Sequence, residues 1–277
     1  MAVFLFSLDD SLVATGYASW AACTDVLNDF LRSKGMTRTY CVEELAAQCT
    51  GITLDRFVQS LAKIYKFPLT GKDLAELNAA AEPIILEYLS KNLKPDESVR
   101  EVLAGLRRSN HNIGIVSSNS NEWIDTCLTA AAIRELINVR LIFSARSTQV
   151  PPKPDPSIYR LALAAIPRGT RVVAVENSPS GVTSAVIAGV AVVLGCAPFI
   201  SAETQQFHLY KLQRVGATGI FDTWENFRNV LDETRILQPH AVDIENIAPI
   251  HGLGLQTSVR PLLRRPVPAI RFLQTRY

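Results

Sequence analysis

The sequence of 277 residues contains no run of 18 or more uncharged apolar residues, the length that a membrane-spanning helix needs. We therefore expect no membrane span. The opening stretch MAVFLF reaches Asp9 and Asp10 without a basic segment, so we expect no signal peptide. Neither positive nor negative charge predominates in the sequence. The net charge is +2, and residues 1–237 are close to neutral, so we expect no nucleic-acid partner for this part.

Cysteine is scarce and unpaired in the sequence. The five cysteines are odd in number, widely spaced and form no C-x-x-C pair, which argues against a disulfide framework and against a zinc site. We expect buried free thiols and a reducing, cytoplasmic location. The cysteines are Cys23, Cys41, Cys49, Cys127 and Cys196.

Short apolar runs, typical of buried parallel strands, alternate with helical patterns through most of the chain. Apolar residues make up 48% of the sequence, enough for a sizeable core. The alternation predicts an α/β fold with a doubly wound parallel sheet and right-handed crossovers. The predicted strands are Ala2 to Phe6, Asn112 to Val116, Val139 to Phe143, Arg171 to Val175, Ala191 to Leu194 and Thr218 to Phe221.

One segment interrupts this alternation. Residues 17–93 show helical spacing throughout and directly follow the first strand. They predict an inserted α-helical cap over the carboxyl end of the sheet, where open α/β sheets bind ligands. We therefore divide the chain into an α/β core of residues 1–16 and 94–237, the cap, and a C-terminal tail.

The tail, residues 238–277, differs in composition from the rest. It holds five arginines against two acidic residues, together with five of the 15 prolines. We interpret it as a flexible basic tail. A tail that grips an acidic partner, RNA or a lipid surface is the alternative, and the sequence does not identify that partner.

Four polar segments follow predicted strands at their carboxyl ends. Parallel strands bring these ends to one edge of the sheet, so we expect the four segments to converge. They are Ser7-Leu8-Asp9-Asp10-Ser11-Leu12, Ser117-Ser118-Asn119, Lys153-Pro154 and Glu176-Asn177-Ser178.

This set resembles the haloacid dehalogenase (HAD)-like hydrolase superfamily over about residues 1–235. The subgroup it resembles contains β-phosphoglucomutase-like enzymes and phosphosugar phosphatases with a helical cap. VPPKPDPSIYRLAL is similar to the GKPAPDIY pattern, and VAVENSPSGVTSAVIAGV to the EDSxxGVxAAxxAG pattern. The resemblance implies a Rossmann-like core and Mg²⁺-dependent hydrolysis or transfer of a small phosphomonoester.

The family motif after the first strand is DxDGT, and this chain departs from it. The resemblance places Ser7 at the nucleophile position and Asp9 at the general acid/base position. Asp10 replaces the glycine. A serine hydroxyl is a weak nucleophile unless a base activates it, and the motifs contain no histidine. Asp9 is the one base in reach, two residues further along the chain.

The remaining roles are also carried over from the resemblance. Ser117, Ser118 and Lys153 would hold phosphate. Asp9, Glu176 and Asn177 would form the metal site, but Asn177 replaces an aspartate that usually binds the ion. Since Mg²⁺ prefers charged oxygens, we expect weak Mg²⁺ binding. Alternatively, Lys153 pairs with Glu176 or Asp9 as a structural ion pair.

Three functional hypotheses follow. The first is a HAD-like protein whose catalytic site is impaired or lost but which binds a phosphorylated small molecule. The second is an active phosphatase or phosphomutase with rearranged ligands, using Asp9, Asp10 and Glu176. The third is a non-enzymatic interaction protein that acts through the cap and the basic tail.

Overall fold

The computed structural model describes residues 1–49 and 53–233. The chain divides into two units, residues 1–238 and 239–277, and the second unit lies outside the described residues. The predicted basic tail therefore also lies outside them. In the described part, no helix is both long enough and apolar enough to cross a membrane.

The described strands form a six-stranded parallel sheet in the order β3-β2-β1-β4-β5-β6. This confirms the predicted doubly wound α/β architecture. Strand β1 lies in the interior of the sheet and pairs with β2 and β4. The strands are β1 (Ala2–Phe6), β2 (Asn112–Ser117), β3 (Ile142–Ser144), β4 (Arg171–Glu176), β5 (Val192–Cys196) and β6 (Gly219–Phe221).

Helices connect the strands and cover both faces of the sheet. Four helices, α1 to α4, lie between β1 and α5, in the segment where the sequence predicted a helical cap. The exact boundaries of the domains stay a prediction. The helices are α1 (Gly16–Ser33), α2 (Val42–Gln48), α3 (Leu54–Tyr65), α4 (Gly71–Asn92), α5 (Glu97–Arg108), α6 (Asn121–Ala130), α7 (Ser157–Ala165), α8 (Pro179–Ala188), α9 (Ala202–Arg214) and α10 (Phe227–Glu233).

Side chains of β1 alternate between two apolar clusters because successive residues of a strand point to opposite faces. Phe4 and Phe6 pack in one cluster with α5, α6, α10 and the cap helices. Val3 and Leu5 pack in the other with α7, α8 and α9. All five residues of β1 are buried, which explains why the strand is apolar throughout.

The predicted strand Val139 to Phe143 is wrong in its first half. Val139–Leu141 is a 3₁₀ helix, and β3 begins only at Ile142. The side chain of Asn138 accepts a hydrogen bond from the Arg140 amide, and the Leu141 amide donates to the Asn138 carbonyl at 2.8 Å. Asn138 thus starts a turn in a segment whose apolar residues suggested a strand.

The cap helices carry their own local signals. Helix α4 begins with a capping box, in which Thr70 and Asp73 each accept a hydrogen bond from the other's backbone amide. One expectation about this region is wrong: Cys41 is exposed, whereas the other four cysteines are buried. Cys41 is the residue immediately before α2, where its side chain projects from the helix start.

Candidate functional site

The loop after β1 is a tight turn that leads into α1. The Ser7 amide donates to the Val175 carbonyl and so extends the pairing of β1 with β4 by one residue. Asp10 has a φ of 49°, in the left-handed region that favours glycine and that Asp tolerates better than most residues. A glycine, which the related motif has at this position, would adopt the same conformation without strain.

Ser7 lies at the carboxyl end of β1 and is 5% exposed. Its hydroxyl donates to Ser11 Oγ at 2.8 Å, and Asn177 Oδ1 lies 3.4 Å away. Ser11 is itself buried and lies 3.1 Å from the Cys196 sulfur, whose pKa burial raises to about 12. Both hydrogen-bond partners of the Ser7 side chain among the described residues are thus neutral, and neither Ser11 nor Asn177 is a base that could activate the hydroxyl.

The Asp9 carboxylate is turned toward a different set of partners. Thr15 Oγ1 and Trp123 Nε1 donate to Asp9 Oδ1 at 2.9 and 2.8 Å, and Asn119 Nδ2 donates to Oδ2 at 3.0 Å. Burial raises the pKa of Asp9, and these three hydrogen bonds oppose the increase because they favour the charged form. Both oxygens are thus held by neutral donors of the protein, and Ser7, which Asp9 could in principle have deprotonated, is not among these partners.

Asp10 has a structural role at the start of α1. Its Oδ1 accepts a hydrogen bond from the Gly16 amide at 2.8 Å, so the carboxylate caps the helix. Burial, with a contribution from the neighbouring Asp9 charge, raises the pKa of Asp10 to about 6. A Cβ at position 16 would lie 2.5 Å from Asp10 Oδ2, so glycine is the residue that fits this contact.

The second predicted segment follows β2. Ser117 is 3% exposed, and its Oγ accepts a hydrogen bond from the Asn119 amide at 3.1 Å. Ser118 is partly exposed, and its Oγ accepts from the Lys153 amide at 3.3 Å. Ser120 begins α6 by accepting from the Trp123 amide. The start of α6 and the loop carrying Lys153 therefore meet at the carboxyl end of the sheet, as predicted.

Lys153 and Glu176 form a buried ion pair beneath this loop. Lys153 Nζ lies 2.5 Å from Glu176 Oε1 and donates to the Val116 carbonyl at 2.7 Å. The two side chains are 7% and 0% exposed. Tyr159 donates its hydroxyl proton to the same Glu176 oxygen, and burial together with the Glu176 charge raises the pKa of Tyr159 well above its ordinary value. Of the two alternative partners considered for Lys153, the structure therefore shows Glu176.

The other oxygen of Glu176 has no hydrogen-bond partner within the described part of the chain. It lies against helix α8 at Gly181, where an added Cβ would be 1.8 Å away. A side chain at position 181 would displace the carboxylate, so this glycine is what leaves room for Glu176. The Glu176 carboxylate is thus enclosed by α8, Lys153 and Tyr159.

Asn177 follows Glu176 and faces the end of β1 through its contact with Ser7. Its backbone carbonyl lies 2.5 Å from His208 Nε2 on α9. Burial lowers the pKa of His208, which favours the neutral ring at pH 7. His208 therefore orients the Asn177 loop without supplying charge to it.

Sequence reasoning missed the residues that hold these side chains in place. Trp123 and Thr15 bind Asp9, Tyr159 binds Glu176, and His208 binds the Asn177 loop. Thr15 is close in sequence to Asp9 and Tyr159 belongs to the quoted PDPSIY segment, so local signals existed for those two. Trp123 lies 114 residues from Asp9 in the sequence, and His208 lies 31 residues from Asn177. No local sequence pattern indicates either contact.

The donor set does not fit a Mg²⁺ ion as it stands. No group of three His, Cys, Asp or Glu side chains suited to a metal lies within residues 1–49 and 53–233. Asp9 uses both carboxylate oxygens on protein donors, and Glu176 is buried against Lys153 and Gly181. Ser7 and Asn177 offer only neutral oxygens, whereas Mg²⁺ prefers charged ones in a tight octahedron.

Two residues of the cap helices make three polar contacts with the core. Arg56 on α3 donates from Nη2 to the Lys153 carbonyl at 3.4 Å. Glu82 on α4 accepts from Ser120 Oγ at 3.1 Å and pairs with Arg146 at 2.9 Å. These contacts place α3 and α4 beside the loops that carry the predicted site residues.

Solved structures similar to this chain share its fold. A HAD family hydrolase from Deinococcus radiodurans, with bound phosphate and sodium, is 23% identical with a TM-score of 0.56, covering 86% of this chain and 98% of the other. A putative β-phosphoglucomutase from Thermotoga maritima is 21% identical with a TM-score of 0.58, covering 84% and 99%. CbbY from Rhodobacter sphaeroides, in complex with xylulose-1,5-bisphosphate, is 19% identical with a TM-score of 0.61, covering 81% and 95%.

A family model gives the assignment that the fold alone does not. Among curated proteins, none matches the chain. The model described as haloacid dehalogenase-like hydrolase matches residues 4–194. This span runs from within β1 into β5 and contains the cap helices and all of the predicted site residues. The chain therefore belongs to the haloacid dehalogenase-like hydrolase family.

Proposed function

We propose that this HAD-family protein binds a phosphorylated small molecule at the carboxyl end of its sheet and that phosphoryl transfer is impaired or lost. The observation that carries the proposal is the environment of Ser7. Its hydroxyl bonds to Ser11 and lies near Asn177, and both are neutral. Without a base or a carboxylate bound to Ser7 among the described residues, this serine is not activated to attack phosphorus.

The charges around Ser7 support the same conclusion. Glu176 neutralises Lys153 inside the protein, so the lysine does not screen a reacting phosphate. With neutral Ser7 and Asn177 oxygens, Mg²⁺ binding is weak in this proposal. Transfer to an anionic phosphate needs such cations to stabilise the developing charge.

Ligand binding remains part of the proposal because the loop architecture is intact. The Ser117 to Asn119 loop lies at the start of α6, and the partly exposed Ser118 hydroxyl borders Lys153. Hydroxyls and amides at a helix start suit an anion. The neighbours from D. radiodurans and R. sphaeroides hold phosphate and a sugar bisphosphate, which supports a phosphorylated ligand of the same class here.

The two alternatives have less support. A rearranged phosphatase would need Asp10 and Glu176 at the reaction, but Asp10 caps α1 and Glu176 is enclosed with Lys153. An interaction protein would act through the cap together with the basic tail, and the tail lies outside the described residues. A cytoplasmic location remains part of the proposal, supported by the free cysteines of the described segments.

The test compares the wild-type chain with a Ser7→Asp/Asn177→Asp double variant. Calorimetric titration with Mg²⁺ and hydrolysis of p-nitrophenyl phosphate and glucose 6-phosphate are measured for both. We expect no Mg²⁺-dependent turnover in the wild type, and both metal binding and turnover in the variant. The two new carboxylates would stand where Ser7 Oγ and Asn177 Oδ1 are now 3.4 Å apart, a like-charged pair that a divalent cation would stabilise.

The matched control is Ser60→Asp/Asn92→Asp, which makes the same charge change at exposed cap positions and should gain neither property. Wild-type turnover at a rate ordinary for phosphatases, dependent on Mg²⁺, would overturn the proposed loss of phosphoryl transfer.

A further inference from the structure

Helix α9 presents two large aromatic side chains to solvent. Phe207 is 65% exposed and Tyr210 is 54% exposed, so both rings contribute little to the apolar core. Lys211 Nζ lies 5.1 Å from the centroid of the Phe207 ring, and most of the ring still faces solvent. Exposed apolar patches commonly mark interaction surfaces, and aromatic residues are enriched in them. The opposite face of the helix packs on the core through the buried residues His208, Leu209 and Leu212.

The aromatic pair lies in a stripe that carries one charge at each end. Glu203, Phe207, Tyr210 and Arg214 follow one another at intervals of four, three and four residues, the spacing that keeps side chains on one face of a helix. Glu203 lies in the first turn of α9 and Arg214 in the last, and both are exposed. Within the described part of the chain, neither of them has an ion-pair partner.

The α9 stripe is complementary to its own reversed copy. Two α9 helices that lie antiparallel about a twofold axis between Phe207 and Tyr210 would set Phe207 against the partner subunit's Tyr210. The same rotation would set Glu203 against the partner subunit's Arg214, because the two positions are equally far from the centre of the stripe. Each contact would occur twice in such an interface, so all four charges gain an opposite partner. A parallel pair would instead bring acid to acid and base to base.

The neighbouring helix α8 extends this surface. Val186 and Ile187 are exposed in its last turn. A Cβ at Gly216, just after α9, would lie 3.1 Å from Val186 Cγ2, so the ends of the two helices adjoin. A standard protein interface buries about 800 Å² on each partner, and the α8 residues add apolar area to what the stripe can supply.

We propose that the exposed stripe of α9, together with the end of α8, is the interface of a twofold-symmetric homodimer in which two α9 helices pack antiparallel. The occupant is a second copy of this chain, because the stripe itself supplies the charge that matches each of its ends. None of the residues in this interface belongs to the candidate functional site. The inference is therefore independent of the proposed function.

The first test is sedimentation velocity of the full chain over a concentration series from micromolar to submillimolar. Glu203→Arg and Arg214→Glu would each set like charges against one another at both ends of the antiparallel pair. In a mixture of the two variants, every charge would again face an opposite charge. Glu43→Arg is the matched control, since it makes the same change at an exposed acidic residue in the first turn of α2.

A second pair of variants tests the centre of the stripe. Phe207→Ala removes an exposed ring from α9, and Ile64→Ala removes a similarly exposed apolar side chain from α3. Unfolding midpoints, measured for every variant, confirm that each remains folded.

We expect the wild type and both controls to dimerise with increasing concentration. Phe207→Ala and each of the two α9 charge variants should dimerise at least about tenfold more weakly, because an aromatic anchor is lost or like charges meet. An equimolar mixture of Glu203→Arg and Arg214→Glu should recover most of the wild-type affinity.

A wild-type chain that stays monomeric throughout the series would overturn the proposal and leave the stripe to another occupant. A dimer that the α9 variants leave unchanged would also overturn it, because the interface would then lie elsewhere. If both charge variants are monomeric and their mixture is too, the antiparallel pairing is wrong, and the proposal with it.

Discussion

Asp9 and Glu176 are both carboxylates at the carboxyl end of the sheet, and the protein surrounds them in opposite ways. Asp9 is partly exposed and is held through both oxygens by three neutral donors. Glu176 is fully buried, and Lys153 and Tyr159 both bind one oxygen while the other has no partner among the described residues. The comparison shows that Glu176 depends on one buried cation, whereas Asp9 is held by several neutral donors beside the loop after β2.

The largest expected change in stability comes from removing the cation that pairs with Glu176. Lys153→Met leaves the buried Glu176 carboxylate without its cation, and we expect the free energy of unfolding to fall by about 3–5 kcal/mol. Urea denaturation monitored by circular dichroism measures the change. The double variant Lys153→Met/Glu176→Gln should recover most of the loss, because Gln is neutral and its amide oxygen can still accept from Tyr159. Equal stability of Lys153→Met and the wild type would show that the ion pair is not structural.

We expect a smaller loss of stability when Asp9 loses one of its hydrogen-bond donors. Trp123→Phe removes the indole donor that lies 2.8 Å from Asp9 Oδ1, and hydrogen bonds to charged groups contribute about 1.5–3 kcal/mol. Trp20→Phe is the control, because it changes an indole of equal size that packs against Phe57 in the cap. The difference between the two losses estimates the contribution of the Asp9 contact.

A double-mutant cycle with Asp9→Asn separates that contact from packing. We expect a coupling energy between Trp123→Phe and Asp9→Asn, since each change removes the same charged hydrogen bond. Coupling within experimental error of zero would mean that Trp123 contributes only its volume.

The smallest effect concerns Asp10, the neighbour of Asp9, and it depends on pH. Burial raises the pKa of Asp10 to about 6 from an ordinary value of 3.8, so the folded state binds this proton more tightly than the unfolded state. The resulting stabilisation is fully present below about pH 4 and is lost as the pH rises through about 6. Asp10→Asn should therefore match or exceed the wild type in stability at pH 7.5, with an advantage that shrinks toward pH 4.

Asp25→Asn, at an exposed position of α1, provides the control for this measurement. Denaturation at pH 4, 5, 6 and 7.5 compares the variants. If the difference in unfolding free energy between Asp10→Asn and the wild type is the same at pH 4 and pH 7.5, the raised pKa of Asp10 is contradicted.

Much of the architecture was predictable because it depends on local patterns. The apolar run Ala2 to Phe6 becomes the buried strand β1, and the helical spacing after it becomes four helices. The error at Val139 arose where a single asparagine starts a 3₁₀ turn within an apolar run. Cys41 was misplaced because exposure at a helix start depends on the path of the chain and not on residue type.

The sequence by itself determined the α/β fold, the convergence of four motifs and the neutral residues at Ser7 and Asn177, because spacing and residue type are local properties. Only the tertiary structure decided which charges meet. It pairs Lys153 with Glu176, turns Asp9 toward Trp123 and places Arg56 beside the Lys153 loop. These contacts join residues from 23 to 114 positions apart, and their distances and burial follow from packing that no local pattern records.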